Sequence, residues 1–514
     1  MRWIPPVESR HQLVMFPKRI DEALPKDHVV REFAALMDEL DWSDWVAEYA
    51  QHSGRTAFHP KVMASVILYG MLTRIRSSRQ LEEALVVRID FRWLAEGRRI
   101  DHSTICSFRQ SKHERLQALF VQLGLLAHSA GILKLSELAF DGTKIRANNN
   151  RSKKLKTEEL EALHNELAEK FAAQVAEAEK LDADARSDDD SDSGQGGEDI
   201  QSRLRAAKQA LDEVQRLQKE EKPVPKYLPL TDVECRITPS KEGGFAPNYT
   251  PGAMVDTDSG LIVAADVIAD TNEKAMLPAA LETVQEAYSS KPDRILADGI
   301  FSHGSNLATL DSEGIDLYSP VATNENNPAH RADLTQPVPD EQLDDLPLKK
   351  TRGILHFAKS AFVFHEQDDI YYCPAGKRLE YKSTSTSHVV DGAEVKTRRY
   401  LSNRKDCQAC PLRARCIAGK AKYRHVQRDQ FEHLREQLQE RMGTPEGQEI
   451  YARRMGPGER PFAAIKQIMG VRQFASRGLE KVRREWLWLV TAFNIKTLLG
   501  IRARAGPDVL APCH

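Results

Sequence analysis

Two hydrophobic periods alternate along the chain, and the switches between them mark its parts. From about residue 25 to 130 apolar residues recur at helical spacing. PKVMASVILYGMLTRI opens with Pro60 at a favourable first helical position. SSRQLEEALVV follows, with Ser77 and Gln80 spaced as a capping box. DHSTICSFRQSKHERLQALFVQLGLL comes next, with Asp101 or Ser103 available as its cap. Three short helices, the last rich in Ser, Thr, Arg and Lys in its first turns, suit a helix-turn-helix and suit plain helical packing equally well. After residue 136 the period falls to two. SELAFDG reads as a strand, NYTPGAMVDTDSGLIVAADVIAD as two strands joined by a DTDSG turn, and DRILADGIF and GIDLYSP as further strands. With the amphipathic EKAMLPAALETVQEAYSS between them, these predict a mixed α/β sheet.

Two segments interrupt that sheet. Residues 157–222 form a charged helical hairpin whose connection, DADARSDDDSDSGQGGED, is low-complexity and expected to be disordered. Beyond residue 325 the composition shifts to Pro, Asn and Asp with short β runs, until helical spacing returns near Ile450. The expected division is a helical N-terminal domain over 1–135 and the first part of a catalytic core over 136–325, interrupted by a helical insert over 152–230. A β-rich insert over 326–445, a helical C-terminal part of the core over 446–504 and a tail over 505–514 complete it.

A length of 514 residues fits about three domains. No apolar run approaches the roughly 18 residues that a membrane span needs, and the start, MRWIPPVESR, lacks the apolar centre of a signal peptide. The expectation is a cytoplasmic protein with no membrane partner. Charge sharpens the picture. Residues 157–222 hold 19 acidic and 9 basic side chains, a local −10, so the remainder of a chain with net charge −2 carries +8. Residues 401–486 hold 19 basic and 10 acidic side chains. A basic C-terminal third beside an acidic insert is compatible with a polyanionic partner, or with solvated helix faces.

The candidate chemistry begins where strands end on carboxylates. In SELAFDGTKIRANNN an apolar run stops at Asp141, followed by glycine and then by Lys144 and Arg146; DRILADG repeats the arrangement at Asp298. Each aspartate reads as a turn cap or as a metal ligand at a sheet edge with cations nearby for phosphates. A third carboxylate, Glu459 in YARRMGPGERPFAAIK, lies seven residues before Lys466, which on a continuous helix would put both on one face. Two Asp on strands and a Glu on a later helix match the way a ribonuclease-H-like fold holds two Mg²⁺ ions. Separately, Cys373, Cys407, Cys410 and Cys416 include a CxxC knuckle, so a structural Zn²⁺ site and a set of reduced or redox cysteines are the two readings.

Several of these motifs together resemble the DDE transposases of bacterial insertion sequences. FDGTKIRAN resembles that family's first-aspartate block, ILADGIFS its second, and YARRMGPGERPFAAIK its Tyr-Arg-Glu-Lys block. DHSTICSFR is similar to the signature near the end of its N-terminal helical domain, and RGLEKVRREW to its C-terminal tail. The resemblance implies a ribonuclease-H-like α/β core carrying an all-α N-terminal domain and the two inserts. It also implies two catalytic Mg²⁺ or Mn²⁺ ions on Asp141, Asp298 and Glu459, with Tyr451, Arg454 and Lys466 contacting element-end DNA. Ser103, Thr104, Ser107 and Arg109 become candidates for recognising terminal inverted repeats in double-stranded DNA, with target DNA as a second partner and a homodimer expected on DNA. In a bacterium such a protein would be nucleoid-associated when bound. Two departures stand out: Gly458 and Arg460 flank the glutamate where the family often has valine and proline, and Arg454 to Glu459 is one residue longer than the tightest form of the pattern. Rival readings are a nuclease of the same fold without strand transfer, and a DNA-binding regulator or domesticated element protein that no longer cuts.

Overall fold

The computed structural model of the chain describes residues 19–50, 57–111, 113–149, 154–184, 194–239, 243–321, 333–351, 354–388, 394–417, 419 and 421–506. The chain forms two compact units. One comprises Met1–Lys134, Ser259–Val267 and Pro461–His514, the other Leu135–Asp258 and Ile268–Arg460. The boundary between the two units falls at Pro461 within the C-terminal helical segment.

In the first unit, helices Val29–Asp38, Pro60–Leu72, Ser78–Val87, Ile89–Leu94, His102–Ser111 and His113–Ser129 are joined by the long helix Leu479–Ala505. Pro60 occupies the first turn of its helix, as expected, and nearly every following residue to Met71 is buried, so this helix is a central post with no polar face. The capping box does not form: Ser77 stands at the N-cap but its side chain makes no cap hydrogen bond. Asp101 does cap, accepting from the Thr104 amide at 2.9 Å and from the Ser103 and Thr104 hydroxyls. Asn494 on the long helix clasps the backbone of Ile262, accepting from its N–H at 2.9 Å and donating to its carbonyl at 2.7 Å. No helix among the described residues is long and apolar enough to cross a membrane.

The second unit is built on a sheet whose order runs Ile145–Arg146, Phe245–Asp256, Glu137–Gly142, Arg294–Ala297, Asp316–Tyr318, with Arg236–Pro239 also paired to Phe245–Asp256. Glu137–Gly142 is central: antiparallel to Phe245–Asp256, it is parallel to Arg294–Ala297, which is parallel to the edge strand Asp316–Tyr318. Its Leu138, Ala139 and Phe140 are fully buried, as a strand covered on both faces requires.

Both inserts are fastened to this sheet. The helices Leu160–Asp184 and Gly194–Lys219 rise from a two-stranded stalk, Lys154–Lys156 with Tyr227–Pro229. Leu160, Ala210 and Leu228 pack at its top, and a buried Arg236–Glu213 ion pair at 2.8 Å ties helix to sheet. The central part of the connection expected to be disordered, residues 185–193, lies outside the described residues. The β-rich insert forms a five-stranded antiparallel sheet from Val363–His365 to His425–Asp429. It continues into helix Glu432–Gly443, where Arg441 pairs with Asp316 at 2.7 Å and donates to the Leu317 carbonyl at 3.0 Å.

One buried network in the first unit can be tested directly. Asp90 is 5% exposed and accepts from the Tyr69 hydroxyl at 3.0 Å, the Phe91 amide at 3.0 Å and the Arg88 guanidinium. Burial works against its charge, but the bonds from Arg88 and Tyr69 outweigh it and hold its pKa below the usual carboxylate value. A depressed folded pKa gives stability that is full above the unfolded value of about 3.9 and is lost as pH falls through the folded one. Asp90→Asn should therefore cost about 1–3 kcal/mol at pH 7 in urea unfolding, with the difference from wild type shrinking below pH about 4.

Candidate active site

The site is assembled from two adjacent strand ends and one turn. Register pairs Phe140 with Ala297, so the next step along both parallel strands brings Asp141 and Asp298 side by side at the end of the sheet. An edge-to-face pair between Phe140 and Phe301, with centroids 5.0 Å apart, locks the Glu137–Gly142 strand to the turn that follows Asp298. Each aspartate accepts from the amide of the glycine after it, Asp141 from Gly142 at 2.8 Å and Asp298 from Gly299 at 2.5 Å. The turn-cap reading is thus correct as far as one oxygen goes. The other oxygen of each carboxylate is what the ligand reading requires.

Glu459 arrives from the far side of the β-rich insert. Helix Pro445–Ala452 packs Ile450 and Tyr451 against Ala139, Leu296 and Tyr318 on three neighbouring strands. The chain then tightens through a 3₁₀ turn over Arg453–Met455 into a second turn closed by Gly458 N–H to Arg454 carbonyl at 2.9 Å and Arg460 N–H to Gly456 carbonyl at 3.1 Å. Gly458 is buried there: a Cβ on it would stand 2.9 Å from the Arg454 carbonyl oxygen and 3.7 Å from the Ala139 methyl. Ala139 and Asp141 share one face of their strand, so the seat of Gly458 on Ala139 delivers Glu459 to the face that carries Asp141. Sequence spacing placed Glu459 within a helix and on one face with Lys466. Instead Glu459 lies in the turn, the α-helix covers only Arg460–Ala463, and Ala464–Ile468 is a π-helical segment, so seven residues no longer mark two α-turns.

Asp298 and Glu459 both act electrostatically on Asp141. Burial raises the pKa of Asp141; Arg454 and the Gly142 amide oppose the rise, Asp298 and Glu459 add to it, and the balance lies above the ordinary value. Arg454 faces Asp141 at 3.4 Å and reaches the Tyr451 hydroxyl at 3.4 Å, while its buried Nε has no hydrogen-bond partner. Burial opposes the Arg454 charge, but Asp141, Tyr451 and Asp298 outweigh it and raise its pKa. Among the described residues no group of three or more His, Cys, Asp or Glu side chains is gathered at metal-holding geometry. Carboxylate oxygens are the donor type that Mg²⁺ and Mn²⁺ prefer, and such ions keep most of their waters.

The four cysteines fit zinc less well. Cys373 and Cys416 lie within electrostatic reach of Cys407 and Cys410, and Cys416 joins the apolar core of the β-rich insert. None of the four is in a disulfide, and burial pushes the Cys416 thiol up to about 12. Among the described residues they form no group at metal-holding geometry, so zinc here is unsupported.

Other candidates are distributed unevenly. Lys144 is turned inward, donating to Thr250 at 2.7 Å and pairing with Glu273 at 2.5 Å, while Arg146 is half-buried on its strand opposite Asn248. Glu273 escaped sequence reasoning altogether. It precedes a helix in an unremarkable TNEK stretch, yet its carboxylate lies so close to Gly142 that a Cβ there would approach it to 2.8 Å. Ser103 and Thr104 are engaged with Asp101, Ser107 is exposed, and Arg109 is drawn inward to donate to the Arg76 carbonyl at 2.7 Å. Lys466 belongs to the first unit.

A mixed α/β protein with a cluster of carboxylates at the end of its central sheet is the class that these features define. Two family models match the chain: Transposase DDE domain over residues 372–499 and Transposase domain (DUF772) over residues 18–111. Each of these segments is therefore similar to a transposase domain, and neither match spans half of the chain. The first match contains Glu459, Tyr451, Arg454 and the four cysteines, whereas Asp141 and Asp298 lie outside both. No curated protein matches the chain.

Gly458 offers a local test of the site's construction. Gly458→Ala forces its Cβ against a backbone oxygen and should cost about 1–3 kcal/mol. Gly456→Ala meets nothing within 4 Å and should leave the urea midpoint unchanged.

Proposed function

We propose that this protein cleaves DNA at the ends of its element and joins the freed ends to target DNA, using divalent metal held by Asp141, Asp298 and Glu459. Its transposase-family segments indicate a function in transposition, and DDE transposases generally use a divalent metal. The observation that carries the finer reading is the register that sets Asp141 beside Asp298, with Glu459 brought to the same strand face by the seat of Gly458 on Ala139. On this reading the central sheet is a ribonuclease-H-like core. Mg²⁺ or Mn²⁺ bound there supplies Lewis acidity, activating the attacking oxygen and neutralising the leaving one.

The chain's own groups then have distinct tasks. Asp141 and Asp298 each keep one oxygen on a glycine amide, which fixes the carboxylate plane and directs the second oxygen outward. Arg454 moderates the repulsion among the acids and, with Tyr451, contacts the DNA strand being cut; Lys466 contacts end DNA from the first unit. Glu273 holds Lys144 beside the loop after Asp141. The N-terminal helices recognise the inverted repeats through the exposed surface around Ser107. Since two ends must be processed together, a homodimer assembles on DNA.

The test is cleavage of DNA bearing the inverted repeats that flank the gene, with Mg²⁺ or Mn²⁺. Asp141→Ala, Asp298→Ala and Glu459→Ala should each bind this DNA while cutting it about a thousandfold more slowly, a loss of ~4 kcal/mol in transition-state stabilisation. Binding by wild type without cutting under either metal would replace this reading with a DNA-binding regulator. Cutting without joined product would reduce it to a nuclease.

A further inference from the structure

Beyond Asp298 the second unit opens into a cleft of about 670 Å³. One wall is Ser302, His303 and Gly304, at the start of helix Gly304–Ser312, together with Lys274; the other comes from the β-rich insert, including Lys349, Arg424 and Gln427. Ser302 is four residues past Asp298, so the cleft begins within about 14 Å of the candidate catalytic carboxylate.

The lining is polar and its charge is one-sided. Val426 is the one apolar side chain of appreciable size among the lining residues, and five Lys or Arg face two carboxylates. Those two are already matched: Glu432 pairs with Lys359 at 2.6 Å, and Arg435 bridges Asp429 and Glu432 at 2.5 and 2.8 Å. The charge of Lys274, Lys349 and Arg424 is therefore net excess. Arg424 is a fixed part of the wall, donating to the Cys416 and Phe357 carbonyls at 3.0 Å and lying over the Phe362 ring. Arg399 adds to the field, since it and Arg424 both act on His425. The two walls are held in register by Phe431, whose ring fills the space that a side chain at position 304 would need.

We propose that this cleft carries the phosphodiester backbone of the DNA that runs away from the candidate active site. A groove with fixed cations, little apolar surface and one end near the scissile position suits a chain of phosphates joined by polar sugars. It does not suit an apolar peptide or a membrane surface. The β-rich insert thereby becomes half of a DNA channel, contributing position and affinity without sequence preference. This inference rests on the DNA-cleaving reading above.

The test is binding of end-bearing DNA in EDTA, so that no cleavage occurs, across a series of salt concentrations. The double variant Lys274→Ala/Lys349→Ala should bind about tenfold more weakly near 0.1 M salt, and the slope of log K against log salt should shrink by about 2. Gln427→Glu should weaken binding in the same direction, to a similar extent for unrelated DNA sequences. Lys219→Ala, at an exposed position on the helical insert, serves as control and should match wild type. Wild-type affinity and slope in the double variant, with wild type still cutting DNA, overturn the cleft assignment alone. Failure of wild type to bind any DNA overturns both this inference and the reading it rests on.

Discussion

Asp141 sits in a field that its own environment makes unfavourable. Burial removes water from it, and Asp298 and Glu459 add like charge, while Arg454 and the Gly142 amide oppose them. Left to relax, such a cluster would separate. It is prevented from doing so by contacts that carry no charge: the pairing of the two parallel strands, the Phe140–Phe301 ring contact, and the close seat of Gly458 on Ala139. Rigid apolar geometry thus holds repelling groups together, the arrangement expected where electrostatic free energy is stored for use on a ligand.

The same logic explains how a chain with two long inserts keeps one site. The β-rich insert leaves after the edge strand Asp316–Tyr318 and returns through helix Glu432–Gly443, which Arg441 pins to that same strand. Exit and re-entry are therefore neighbours, and the length of what lies between them does not disturb the following helix, which delivers Tyr451, Arg454 and Glu459. The helical insert behaves likewise. Its stalk strands pair with each other, and the buried Arg236–Glu213 bridge fixes its base to the sheet. A buried pair of this kind adds little net stability but penalises other docking arrangements, because separating it would strand a charge.

Much of this was legible in the sequence where the signal was local. Apolar runs ending on Asp-Gly revealed both aspartates, because strand burial and a following turn leave a strong two-residue signature. What depended on continuing a regular period was not legible. Glu459 and Lys466 were related by assuming an unbroken α-helix, and a tight turn followed by a π-helical segment breaks that assumption. Ser77 and Gln80 had the spacing of a capping box, yet the helix start leaves the serine hydroxyl out of the cap. Lys144 and Arg109 looked like basic surface, but each found a partner far away in sequence, Glu273 and the Arg76 carbonyl, that no local pattern discloses.

Gly458 and the long connection from Arg454 to Glu459 act together in the turn before Glu459. A longer connection from Arg454 to Glu459 would swing the glutamate away from the sheet if the extra residue were extended. Here it is consumed by the double turn that Gly458 and Arg460 close onto the Arg454 and Gly456 carbonyls. That turn brings position 458 so near the Arg454 carbonyl that a Cβ would stand 2.9 Å from its oxygen, with the Ala139 methyl in ordinary contact at 3.7 Å. A valine introduced before Glu459 would drive its Cβ against the Arg454 carbonyl and shift the turn that carries Glu459.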